Sequence, residues 1–171
     1  MRQIDNKLLY KGFFTINQQI VQKSDGTTFP LEVLERGNAI AAIVKDIDTN
    51  KYIFVRQYRV CNSDYLIEIP AGMVDKNEDF KEAVASELKE EIGYGIEHIC
   101  QIAEYYSSPG TSTEKVHLFH VEGRKLTSGG GLKDENEEIE IIELTEEELK
   151  VWQFQDSKTI IGVNYVLNLP F

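Results

Sequence analysis

The chain has 171 residues, 42% of them apolar, enough at this length to bury the core of one domain. With 18 basic against 29 acidic residues, the formal charge is −11 and the isoelectric point near 4.8. Such a balance excludes bare nucleic acid and anionic membrane as natural partners, and any anionic substrate should come in with metal.

Cys61 and Cys100 lack CxxC spacing and read as free thiols rather than a disulfide or zinc site. The N-terminal stretch MRQIDNKLLYKGFF has no leader-like apolar run, and nowhere do 18 apolar residues run together, so a soluble cytoplasmic protein is expected. Leu8 to Glu35 reads as strands, rich in β-branched and aromatic residues, broken by a hairpin turn at Ser24 to Gly26. Two strands alone are only marginally stable, so this hairpin needs a packing surface. Asn38 to Asp46 and Lys51 to Val55 flank the turn IDTN as a second hairpin, which leads into Arg56, Gln57, Tyr58 and Arg59. Two arginines around an aromatic ring offer bidentate donors and a stacking face to a nucleotide diphosphate, and they equally suit a basic edge strand. Arg36, entering the preceding strand, is a weaker candidate of the same kind. Leu66 to Pro70 is a short strand that delivers Ala71 and Gly72.

Glu78 to Ile92 contains no proline or glycine and sets Phe80, Val84, Leu88 and Ile92 on one stripe, which predicts a helix with one buried face. Ile99 to Tyr106 follows as a strand that ends at the turn Ser107 to Gly110, which contains Pro109. Lys115 to Glu122 is a strand in which His117 and His120 point to opposite faces and cannot serve one zinc. Thr127 to Gly131 delivers Asp134, Glu135, Glu137 and Glu138 ahead of the strand Ile139 to Leu144. Thr145 with Glu148 has the form of a helix cap opening a short amphipathic helix through Leu149, Val151, Trp152 and Phe154, with Trp152 read as core. Ser157 to Leu169 closes the chain as a helix with Ile160, Ile161, Val163, Val166 and Leu167 on its buried side.

Within the first helix Glu87, Glu90 and Glu91 project from neighbouring positions one turn apart. Like charges at this spacing cost a helix about 0.2 to 0.5 kcal/mol per pair. A hard divalent cation with oxygen ligands removes that cost, and Mg2+ binds through a few carboxylates plus substrate phosphates. By itself such a run is ordinarily a solvated acidic face. The surrounding pattern changes this: Gly72, Glu78, Glu87, Leu88, Glu90, Glu91 and Gly93 stand at the spacing G, five residues, E, seven, R, E, aliphatic, any, E, E, any, G, aliphatic. In this the chain resembles the Nudix hydrolases. Tyr94 takes the last, aliphatic position, and Ser86 stands where the family has arginine. Downstream, SPG followed by Glu114, and the acidic segment DENEEIEIIEL, resemble the ADP-ribose and GDP-mannose pyrophosphatase subgroup.

The resemblance implies an α/β fold, a Nudix α/β/α sandwich with a mixed sheet, preceded by an N-terminal antiparallel β subdomain. Residues 1–36 would form the subdomain, contributing to a homodimer and to the substrate site, and 37–171 the Nudix domain. It implies Mg2+, or Mn2+ in its place, held by Glu87, Glu90, Glu91, the Ala71 carbonyl and Glu137, with Glu135 as the base and Glu87 and Glu91 as further catalytic groups. Arg36, Arg56, Arg59, Pro109 and Glu114 would hold substrate, and Gly72, Glu78 and Gly93 would shape the box. The activity implied is hydrolysis of a nucleoside diphosphate sugar, ADP-ribose to AMP and ribose 5-phosphate first. GDP-mannose or another sugar nucleotide is the alternative substrate. A sensor that binds without turnover is the other class, because Ser86 removes the box arginine.

Overall fold

The structure is a computed structural model, and it describes residues 1–128 and 139–168. The chain divides into two compact units, Met1–Asn38 with Tyr105–Lys115, and Ala39–Glu104 with Val116 onward. Tyr105–Lys115 therefore belongs with the N-terminal strands, although in sequence it lies deep in the expected second domain.

The first unit is a three-stranded antiparallel sheet of β1 (Arg2–Lys11), β2 (Thr15–Gln22) and β3 (Thr28–Glu35), in the order β1-β2-β3. The turn at Ser24 to Gly26 is present, with Gly26 at φ 86°. A second turn lies inside the run LYKGFFTINQQIVQ, where the Gly12 N–H donates to the Phe14 carbonyl at 2.9 Å. Continuous apolar and aromatic character masked that reversal in the sequence. Tyr105–Lys115 attaches through Leu34, which donates to the Thr111 carbonyl at 2.8 Å and accepts from the Thr113 N–H at 3.1 Å.

The second unit is built on a seven-stranded sheet. Its main path runs β10 (Ile139–Leu144), β5 (Tyr52–Arg59), β4 (Asn38–Asp46), β9 (Lys115–Lys125), β8 (Tyr94–Tyr106), with β6 (Asp64–Glu68) paired to β5 and β7 (Ala71–Met73) to β4. Alternation along the strands gives this sheet two faces. Ile40, Ala42 and Val44 of β4 and Ile53 and Val55 of β5 share one face, and they cluster with Ala83, Val84, Leu88 and Ile92. That face carries α1 (Phe80–Glu87). The opposite face carries α3 (Ser157–Val166): Gly162 lies against Ile43, and the Thr159 hydroxyl accepts the Ile69 N–H at 2.9 Å. His117 stacks on Phe80 of α1 at 3.8 Å, whereas His120 lies 5.9 Å from Tyr165 of α3, so the two histidines do face opposite ways.

Three helical expectations need correction, the first being Ile160 of α3, which is exposed rather than on the buried side. The stripe predicts one α-helix to Ile92, but the α-helix ends at Glu87 and Leu88–Ile92 forms a π turn closed by the Gly93 N–H on the Leu88 carbonyl. The wider turn takes in one more residue while Leu88 and Ile92 both stay in the core. The helix after the Thr145–Glu148 capping box, α2 (Glu146–Val151), is shorter than expected and buries only Leu149. Trp152 turns the chain out of the helix with extended backbone, and it is 42% exposed rather than core.

Candidate active site

Short-range rules place the box. Pairing of β7 with β4, Ile40 opposite Gly72 and Ala41 opposite Ala71, fixes the loop that begins the motif. Asp79 caps α1 by accepting the N–H groups of Lys81 at 2.9 Å and Glu82 at 3.2 Å. Glu78 therefore lies just outside the helix and not in its first turn. Its carboxylate accepts the Asp75 N–H at 3.0 Å and its own N–H donates to the Asp75 carbonyl, so it closes the loop between Gly72 and the helix. Ser86 is exposed on the last turn of α1.

The end of α1 brings Glu87 back over the loop. Its carboxylate occupies the space that a side chain at position 72 would fill, so only glycine leaves room for it. Beyond it, Glu90 is exposed and Glu91 is partly buried, with its Oε2 wholly so, on the π turn. Gly93 ends this turn at φ 73°, the left-handed conformation that glycine adopts without strain. Carboxylate and carbonyl oxygens are the kind of donor that a hard divalent cation takes. Among the described residues no three acidic, histidine or cysteine side chains are drawn together into a metal-holding group. Two further expected carboxylates, Glu135 and Glu137, lie outside the described residues.

Arg56 lies opposite Glu140 on β10 and Ile67 on β6, on the same sheet face as Phe54, which stacks on Phe154. Its guanidinium sits 4.1 Å over the Tyr65 ring and donates to Glu140 at 3.1 Å, lining a cleft of about 160 Å³ with Trp152 and Phe154. Strand alternation thus sets Arg56 on the sheet face away from α1. Arg59 forks onto Glu68, with both bonds at 2.7 Å, and Lys158 adds a second cation to the same carboxylate. Burial alone would raise the Glu68 pKa, but Arg59 and Lys158 outweigh it and hold the group at about 2. Glu68 is 2% exposed and belongs to no recognised motif. The signal for it was a lone carboxylate between two isoleucines in LIEIP, where a buried charge demands a partner.

In the first unit Arg36 and Glu114 come together, Nε to Oε1 at 3.3 Å, and the Arg36 guanidinium lies 5.4 Å over the Phe14 ring. Glu114 also takes its N–H to the Ser112 hydroxyl at 3.1 Å. Pro109 is exposed in the turn where the Thr111 and Ser112 N–H groups bond to Ser108. Cys61 and Cys100 are free and exposed.

Residues 35–161 match the NUDIX domain, a span that holds β4, the Gly72 loop, α1, the π turn and Gly93. The chain belongs to the NUDIX family. Its relatives include a Methanol dehydrogenase activator of Bacillus methanolicus, 33% identical over 85% of this chain and 80% of that protein. They also include a GDP-mannose pyrophosphatase of Shigella flexneri, 31% identical over 95% of this chain and 93% of the other. A solved structure described as an ADP compounds hydrolase superposes with a TM-score of 0.81 over 98% of this chain and 92% of that one, at 20% identity. At that identity the likeness carries the fold, and the α/β Nudix architecture with a mixed sheet and a separate antiparallel sheet is the one expected from the sequence. Family membership likewise supports the expected enzyme class, a Nudix pyrophosphatase.

Proposed function

We propose that this NUDIX protein hydrolyses the diphosphate bond of a nucleoside diphosphate sugar in the cytoplasm. The observation that carries the reading is the Glu87 carboxylate seated in the space of Gly72, at the head of the turn that bears Glu90 and Glu91. Glu87, Glu90, Glu91, the Ala71 carbonyl and Glu137 would hold Mg2+ or Mn2+. When bound, the metal neutralises the diphosphate and polarises phosphorus. Glu135 would take the proton of the attacking water as its oxygen joins one phosphorus and the P–O–P bridge breaks. The products are a nucleoside monophosphate and a sugar phosphate. Arg36, Arg56, Arg59, Pro109 and Glu114 are the candidates for substrate contact, and Arg59 also neutralises Glu68.

The name of the Shigella flexneri relative favours GDP-mannose as the first substrate to test, with ADP-ribose beside it. Exposed Cys61 and Cys100 suit a reducing compartment. The first unit supports a homodimer, because β1 is exposed along its whole length and Ile4, Leu8, Tyr10, Phe13 and Leu31 present large apolar surface.

The test is phosphate release, coupled to a phosphatase, across GDP-mannose, ADP-ribose, other sugar nucleotides and nucleoside triphosphates, with Mg2+ and with EDTA. Sedimentation of the same preparation reads the assembly state. Turnover of one sugar nucleotide that needs Mg2+ and falls about 100-fold or more in Glu91→Gln is the expected result. Sugar nucleotides that raise Tm without turnover would instead identify a binding protein and overturn the mechanism.

A further inference from the structure

We infer that Tyr94 and Asp46 form a positioning pair that sets the geometry of the box carboxylates toward a divalent cation; this rests on the reading of Glu87, Glu90 and Glu91 as its ligands. Tyr94 directly follows Gly93, is 2% exposed, and donates its hydroxyl to Asp46 Oδ2 at 2.8 Å. Asp46, 4% exposed, accepts the N–H groups of Asp48 at 2.8 Å and Thr49 at 3.0 Å on its other oxygen. Burial would raise the Asp46 pKa, but these hydrogen bonds hold it below the ordinary value, so it is an anion and Tyr94 is the donor.

Strand β4 makes the pair more than a satisfied core tyrosine. Near its start, Ile40 and Ala41 are paired with Gly72 and Ala71, and it is against Gly72 that Glu87 is seated. At its end stands Asp46, which through Tyr94 fixes the residue next to Gly93 and so the end of the turn carrying Glu90 and Glu91. Both halves of the carboxylate set are therefore referenced to one strand. A π turn is a rare, irregular element that competes with the ordinary α turn, and reverting to the α turn would swing Glu90 and Glu91 relative to Glu87. The Gly93 carbonyl accepts the Leu126 N–H at 2.8 Å, which adds a backbone tie at the same point. Tyr94 acts through the turn and not on substrate.

Tyr94→Phe, Asp46→Asn and the double variant of the full chain test this, with Mg2+ alone as the probe. The readouts are Mg2+ affinity by calorimetry, the Mg2+-induced rise in Tm without substrate, and the Mg2+ dependence of turnover. Expected is a loss of Mg2+ affinity of about 10-fold in either single variant, with the double variant no worse, as for other residues that orient ligands from behind. Turnover at saturating Mg2+ should change far less. Variants that melt lower yet bind Mg2+ as the parent does would overturn the pair's role and leave an ordinary core hydrogen bond. A parent that shows neither Mg2+ binding nor turnover would instead defeat the metal reading of the box itself. Should Tyr94→Phe fail to fold, the isosteric Asp46→Asn carries the test.

Discussion

At Gly72 a single missing carbon decides where a carboxylate goes. The backbone there is not left-handed, so alanine fits the chain, but its Cβ would fall on the Glu87 carboxylate. That carboxylate is the far end of a flexible side chain and can move aside, so Gly72→Ala should change stability by less than about 1 kcal/mol. Mg2+-dependent turnover should nonetheless fall by about 100-fold, since displacing a positioned group by about 1 Å is enough for that. A thermal melt beside an activity assay separates the two effects. The spacing of Gly72 and Glu87 was legible in the sequence as a motif. That glycine serves as the seat of the glutamate was not, because the contact spans a loop and a helix.

Among the elements, the helix that bears the box shows how local pattern and tertiary context divide the outcome. Phe80, Val84, Leu88 and Ile92 mark a buried stripe, but the stripe does not distinguish an α-helix from one that widens into a π turn over its last five residues. Gly93 at φ 73° ends that turn, and any residue with a Cβ is strained there. Gly93→Ala should lower the unfolding free energy by about 1 to 2 kcal/mol in a urea titration, with Gly93→Asn closer to the parent. Strand β5 teaches the converse. Its alternation was readable, with Arg56 on the side of Phe54 and opposite Val55, yet only packing revealed that α1 covers the Val55 side.

For the molecule as a whole, the buried ionic knot at Glu68 ties β5 and β6 to α3 through Arg59 and Lys158. Its carboxylate titrates at about 2 in the fold against an ordinary 4.5, so the folded pKa is the lower one. The stabilisation is therefore fully present above about pH 4.5 and is lost as the pH falls through about 2, and a shift of this size corresponds to on the order of 3 kcal/mol. Urea titrations should show Glu68→Gln less stable than the parent by about 3 kcal/mol at pH 7, with the gap closing toward pH 2. Equal acid sensitivity of the two proteins would refute this. What is local in spacing or composition was readable along the chain: the NUDIX box, the hairpin at IDTN, the capping box at Thr145 and the free thiols, because each is set by neighbours within a few turns of chain. Tertiary structure alone decided the face on which Arg56 falls, the pairing of Arg59 with Glu68, the return of Tyr105–Lys115 to the N-terminal unit and the tie between Tyr94 and Asp46. Each of these depends on which surfaces pack together across long stretches of chain, and no periodicity along the sequence encodes that choice.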